Sequence, residues 1–377
     1  MPTEDTLIPS NEAAPVRKEG SATTFKCKGC GSSVSFTPGT EHLTCPYCKS
    51  NCDISAIEAK VEELDFRENL KNAAEETELE EHITVTCDGC GARTDLQPNI
   101  TSGHCPFCDS PLVAQHISEK RFSPRSLLPF SIPRADANAS FKKWISSRWF
   151  APRSFHREVR SDKLNGVYCP FWTYDAGSHT VYSGERGEYY YVTRTETVTV
   201  NGKQQTRTRR ERKIRWHHAS GNVNNKFDDL LVRASSGLPE KLARKLEPWD
   251  LHKLRPYQPE FLSGFKVESY TIGLEDGFSD AKDQMKPFIR KTICRDIGGD
   301  QQRIHRTSTN YDNITFKHIL LPVWISAYFY RKKTYRFLIN ANTGEVQGER
   351  PYSVIKIILV GIAIAAIIAC VVYLTQK

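Results

Sequence analysis

The longest apolar run in the chain is Val354 to Leu374, 21 residues interrupted by one charge, Lys356. At about 1.5 Å per residue it makes roughly 31 Å of helix, close to the thickness of bilayer hydrocarbon. A single-pass transmembrane helix is predicted over 354–374, with Lys356 snorkelling at its start and Tyr373 at the far boundary. Upstream, the pattern is that of strands. Glu188 to Val200, rich in Tyr, Thr and Val, and the basic stretch Lys203 to His217 flank Asn201-Gly202. Both residues of that pair tolerate positive φ, so a long hairpin is predicted. Val167 to Tyr174 and Leu320 to Tyr328 are apolar runs that echo each other, each with a tryptophan two residues after a proline. They predict related strands that pack together and begin at their prolines. Phe265 to Leu274 alternates as a strand, and Tyr335 to Ile339 with Glu345 to Glu349 brackets a closing hairpin.

Helical spacing occurs in four places before the apolar tail. Ile54, Ile57, Val61, Leu64 and Leu70 predict an amphipathic helix from Ile54 to about Glu81. Phe141, Trp144, Ile145 and Trp149 predict a helix whose stripe faces the core. A proline-opened helix is expected at Pro239 to Leu246, and another from Ser279 to Cys294 with Ala281, Met285, Phe288, Ile289 and Ile293 as its stripe. Residues 1–24 show no periodicity and read as a disordered arm. The fold class is therefore α+β: a large body with mainly antiparallel strands at 117–353, ahead of the apolar helix.

Charge divides this picture. The net charge is +8, yet Asp53 to His82 holds eleven acidic against three basic residues, so that stretch carries −8 and the remainder +16. The acidic stretch reads as a spacer, 53–83, whose charged face is solvated or docks on a basic surface. The second arm of the hairpin carries Arg207, Arg209, Arg210, Arg212, Lys213 and Arg215 within nine residues. Alternation puts Arg207, Arg209, Lys213 and Arg215 on one face with Glu211, and Arg210 and Arg212 on the other. Such an arm discourages edge-to-edge aggregation, or binds anionic lipid, an acidic protein or nucleic-acid phosphates.

The candidate chemistry lies in the cysteines. Eight of the twelve fall in a pattern that occurs twice: Cys27, Cys30, Cys45 and Cys48, then Cys87, Cys90, Cys105 and Cys108, each as C-x2-C-G followed by C-P-x-C after a fourteen-residue insert. Two such knuckles close a tetrahedral four-thiolate site that suits Zn2+ and leaves no position for water or substrate, so two structural zinc ions are expected, at 25–52 and 84–116. Iron and paired disulfides are the rivals. The polar start of the chain, without the apolar core of a signal peptide, speaks against an oxidising compartment. Each ribbon is expected to fold on its own metal. Cys52 reads as a spare thiol and Cys169 as a buried inert one. There is no H-E-x-x-H, no G-x-S-x-G, no dinucleotide fingerprint and no Walker loop, and Asp296 to Asp300 reads as a structural turn.

The order of features resembles a family of bacterial zinc-ribbon proteins: the two cysteine units, Leu128-Pro129-Phe130, the run Gly166 to Asp175, Phe227 to Val232, Pro248 to Leu251, Asp296 to Ile304, and Thr315 to Trp324. The resemblance covers about Phe25 to Ser353. Members often carry names borrowed from the primosomal helicase, whose motor motifs this chain lacks. Some have transmembrane helices and are similar to components of membrane-stress systems. The resemblance implies phage-shock or flotillin-like protein partners and transfers the eight cysteines as zinc ligands. The expectation is a tail-anchored, non-enzymatic adaptor with its body in the cytosol; the alternative is a membrane-tethered nucleic-acid-binding protein. Gly361, Ala365 and Ala369 form a small-residue stripe through which two anchors can associate.

Overall fold

The computed structural model describes residues 25–55, 61–74, 80–95, 102–108, 110–113, 117–152, 154–155, 164–200, 203–330 and 333–375; the arm at 1–24 and the Asn201-Gly202 turn lie outside these. In the first ribbon β1 (Ser35–Phe36), β2 (His42–Thr44) and β3 (Asn51–Asp53) form a three-stranded antiparallel sheet. Then come β4 (Leu64–Asp65) and α1 (Phe66–Ala74). The helix expected across 54–81 is thus only nine residues long among the described ones. Leu64 and Asp65 instead pair with Phe316 and Thr315, and the Asp65 carboxylate accepts from the Glu68 amide at 2.8 Å, so the helix can start only there. Glu63 reaches Lys317 at 3.1 Å, where Asp229 meets the same ammonium at 2.6 Å, so the acidic spacer docks on the chain's own body.

By Glu80 the chain is a strand again. In the second ribbon β5 (Glu80–Thr86) pairs with β6 (Arg93–Asp95) and β9 (Ile117–Arg121), while β7 (Ser102–His104) pairs with β8 (Pro111–Val113).

The body is built on three very long strands. After β10 (Ser126–Leu127) and α2 (Arg134–Ser146), β11 (Asn165–Val200) runs for 36 residues and β12 (Lys203–Arg233) returns for 31. At about 3.3 Å per residue β11 is on the order of 120 Å long. β13 (Arg255–Pro256), β14 (Lys266–Val267), α3 (Leu274–Ile297), β15 (Gln301–Tyr330), β16 (Lys333–Asn340), β17 (Val346–Gly348) and α4 (Val354–Thr375) complete the chain. The central sheet has the order β12-β11-β15-β10-β13, with β14 beside β11, β4 and β16 beside β15, and β17 beside β16. Pairing of β15 with β11 ends at Gln301 and Gly187. Beyond it β11 and β12 continue alone, from Glu188 opposite Arg215 to Val200 opposite Lys203, as a projecting two-stranded arm.

The two echoing runs are neighbours in this sheet, Cys169 lying opposite Leu321. Both strands run through their prolines, contrary to the expectation that they begin there. The reason lies in where each missing N–H points. The carbonyl of Pro170 accepts from Ala234, the first residue past β12, and that of Pro322 from Ala341, the first past β16. A residue's N–H and C=O point to the same side of a strand, so each proline turns its missing donor to where a neighbouring strand has just ended. Of the strand expected at Phe265 to Leu274 only Lys266–Val267 forms. The chain then crosses to the second ribbon, Glu268 donating to the Tyr168 carbonyl and Ser269 to that of Arg93.

Helix α3 is longer than its stripe suggested. Ala281, Met285, Ile289 and Ile293 are buried against Trp172, Tyr174 and Tyr182, whereas Phe288, at the margin of the stripe, is exposed beside Phe227. The helix stops where Gly298 and Gly299 take φ of 66° and 72°, the turn expected there. The expected helix at Pro239 is one turn, Glu240–Ala243, followed by a 3-10 turn. In α2, Phe141 and Ile145 are buried, but Trp149, past the helix end, is not.

Candidate metal centres

Each four-cysteine unit converges. In the first, Sγ atoms lie 3.5 Å apart for Cys27 and Cys48 and 3.5 Å for Cys30 and Cys45; in the second, 3.5 Å for Cys87 and Cys108 and 3.6 Å for Cys90 and Cys105. All four ligand atoms of each group lie within 4.8 Å of one another. A tetrahedral ion with sulfur at about 2.3 Å requires sulfur–sulfur distances of about 3.8 Å, so the cage fits an ion of that size. A disulfide needs about 2.05 Å, and none is formed.

Local backbone chemistry sets this convergence. Gly31 and Gly91, directly after each first knuckle, both have φ of 73°, and their amides donate to the carbonyls of Cys27 and Cys87 at 2.9 and 2.7 Å. In the second knuckle of the first ribbon Lys49 takes the same role at φ 61°. Amides point at sulfur as well, Gly29 toward Cys27 and Phe107 toward Cys105, each at 3.4 Å. Four crowded thiols separate in acidity. Hydrogen bonds, from the Ser50 hydroxyl first, hold Cys27 down at about 6. The contact with Cys90 does the same for Cys105, at about 5, while burial pushes Cys87 up to about 11. A divalent cation in the cage would favour the thiolate form of all four sulfurs.

Sequence reasoning missed one pair of residues. Ser50 Oγ lies 3.1 Å from Cys27 Sγ and 3.0 Å from Cys48 Sγ, and Ser110 Oγ lies 3.2 Å from Cys108 Sγ. Both serines stand two residues after the last cysteine of their unit, a shared C-P-x-C-x-S spacing that was there to be read.

Neither ribbon stands apart from the body. Cys27, Val34, Phe36, Leu43 and Cys45 share one core with Leu127, Phe130 and Phe261; Val85, Cys87, Ala92, Cys105 and Phe107 share another with Leu128, Val167 and Cys169. Cys52 is half-buried on the first core. Cys169 is fully buried, and burial raises its thiol pKa well above the usual value.

The arm is the other conspicuous surface. Residues 206–215 are all exposed. Register places Arg194 directly opposite Arg209, a like-charge pair, and Arg207, Arg209 and Arg210 have no ionic partner among the described residues. Arg212 lies over the Tyr189 ring at 4.2 Å and Arg215 over Tyr190 at 5.1 Å.

Fold and site together define a class: an α+β protein with two four-cysteine metal-binding clusters set into its body and a C-terminal helix long and apolar enough to cross a membrane. The chain is similar to "Uncharacterized protein YdjG" of Bacillus subtilis (strain 168), 26% identical over 338 residues, which are 87% of this chain and 90% of that protein. No family model and no solved structure matches the chain.

Proposed function

We propose that this chain is a non-enzymatic adaptor, anchored by α4 and stiffened by two structural zinc ions, that recruits a partner protein to the cytosolic face of a membrane under stress. The projecting arm carries this reading: a two-stranded ribbon with arginines that have no ionic partner among the described residues and with exposed tyrosines, held out by strands far longer than its own core needs. Zinc is favoured because eight thiolates in two closed cages suit a borderline-soft ion with no open position. Arg350 and Lys356 at the near side of α4 support a cytosolic body by the positive-inside bias, and reduced thiols suit the same side.

Tyr330, which packs with Ala151 beside the start of α4, and Gln301, where the arm begins, are the two ends of a 30-residue strand about 100 Å long. That distance favours a protein over the lipid of the same membrane as the arm's partner. The Arg194 and Arg209 pair supports a second reading, in which the ribbon contacts nucleic-acid phosphates. A photo-crosslinker at Tyr191 in intact membranes tests the two. A protein adduct that disappears in the Arg209→Glu, Arg210→Glu variant supports the adaptor; a nucleic-acid adduct whose yield falls steeply with salt replaces it.

A further inference from the structure

Lys356 is the one charge of α4, and it does not reach freely to solvent. Its ammonium donates to the carbonyls of Trp149 at 2.6 Å and Ala151 at 2.9 Å, and lies 5.4 Å from the centroid of the Trp149 ring. The Ser353 amide, at the start of the helix, donates to the Phe150 carbonyl at 2.8 Å. Ala151 is in turn buried with Phe155 and Tyr330. The first turn of the anchor is therefore tied to the loop after α2 by three hydrogen bonds.

That tie fixes a depth. Past Lys356, Ile357 to Thr375 leaves nineteen uncharged residues, about 28 Å of helix, still enough to cross the hydrocarbon. The membrane surface then lies at the level of Lys356, because an ammonium bound to two peptide carbonyls stays with the polar layer. Trp149 is held against that ammonium, so it stands at the same level whatever the tilt of α4. The body buries Trp172, Trp249 and Trp324 almost completely, yet leaves Trp149 58% exposed, and Tyr352, with Arg350 over its ring at 5.2 Å, is equally exposed. Tryptophan and tyrosine backed by cations are the side chains that settle among headgroups, their rings toward the chains and their polar edges in water.

We infer that the loop from Arg148 to Ala151, with Tyr352, is a second membrane contact: a lipid-headgroup seat, centred on Trp149, that holds the body on the bilayer beside its anchor. The seat rests on α4 spanning the membrane and adds to it that the body does not swing freely on a linker. It also explains why Trp149, helically spaced with Phe141 and Ile145, is not in the core.

The full chain reconstituted into vesicles of phosphatidylcholine and phosphatidylglycerol tests both steps separately. Co-flotation after an alkaline wash reports on α4. Tryptophan quenching by lipids brominated near the headgroup, compared with lipids brominated near the chain ends, reports on the seat. Wild type should be quenched more by the shallow label, and Trp149→Phe, which keeps a ring over Lys356, should float equally well while losing half or more of that shallow quenching. Equal quenching of wild type and variant on floated vesicles overturns the seat and leaves the anchor standing. A chain that fails to float overturns both.

Discussion

The two ribbons have the same ligand spacing and the same cage, yet they are seated differently. In C-P-x-C the variable residue is Tyr47 in the first, 77% exposed, and Phe107 in the second, fully buried. Cys30 and Cys48 are exposed where Cys90 and Cys108 are half-covered. The first ribbon leans on the body by its inner half: Phe36 stacks edge-on with Phe261 at 5.1 Å, the Gly39 amide donates to the Phe130 carbonyl at 2.9 Å, and Glu41 pairs with Arg255. The second is sunk into it. Thr94 bridges Glu268 as a strand, and a Cβ on Gly237 would stand 2.1 Å from the Glu268 carboxylate and 2.9 Å from Ala92. Metal coordination fixes the shape of a ribbon, and the residues between the ligands decide whether it is a surface module or part of a core.

The widest divergence should come from losing a ligand. Structural zinc is worth about 10–16 kcal/mol in small ribbons, and the second cage is the more deeply seated, with Phe107 buried where Tyr47 is exposed, so Cys105→Ser should release one of two metals and abolish cooperative unfolding of the detergent-solubilised chain. Cys45→Ser should also release one metal but leave a broadened transition, read by calorimetry with elemental analysis. Iron in fresh protein, or one metal per chain, would break the comparison at its root. Next, Phe107→Ala should cost about 3–5 kcal/mol and Tyr47→Ala less than about 0.5 kcal/mol; equal shifts in Tm would show that the ribbons are seated alike.

A smaller effect depends on pH. Burial pushes the Glu268 carboxyl up to about 8 from 4.5. The folded state thus favours its neutral form, and stability falls as pH rises from about 4.5 and levels off above about 8. Glu268→Gln should remove that decline, most visibly at the transition that includes the second ribbon; an unchanged pH profile would exclude Glu268 as its source. The smallest difference is kinetic. A thiol-competing chelator should strip the first site about tenfold faster than the second, a difference of about 1.4 kcal/mol in barrier.

The cages were legible because their determinants are local: two knuckles, a glycine at positive φ after each first one, and an insert of fixed length. The arm was legible for the same reason, and the apolar helix by length alone. What the sequence hid is non-local. Tyr47 and Phe107 occupy matching positions in matching motifs, and only Leu128, Val167 and their neighbours, far along the chain, make one a surface residue and the other a core residue. The short α1 follows from Phe316 and Thr315 capturing Leu64 and Asp65, partners some 250 residues away. Periodicity counted Trp149 as core because it cannot see that α2 ends at Ser146.

The sharing of the second ribbon's core with β15 sets an order of events at birth. Cys108 leaves the ribosome 211 residues before Ile319, whose side chain helps to cover that cage. At about 5–20 residues per second this is on the order of 10–40 s. During that interval both four-thiol clusters are complete in sequence while β15, which packs on the second, is still to be made. Metal taken up in that interval would reach the second cage before Ile319 and Leu321 pack against it.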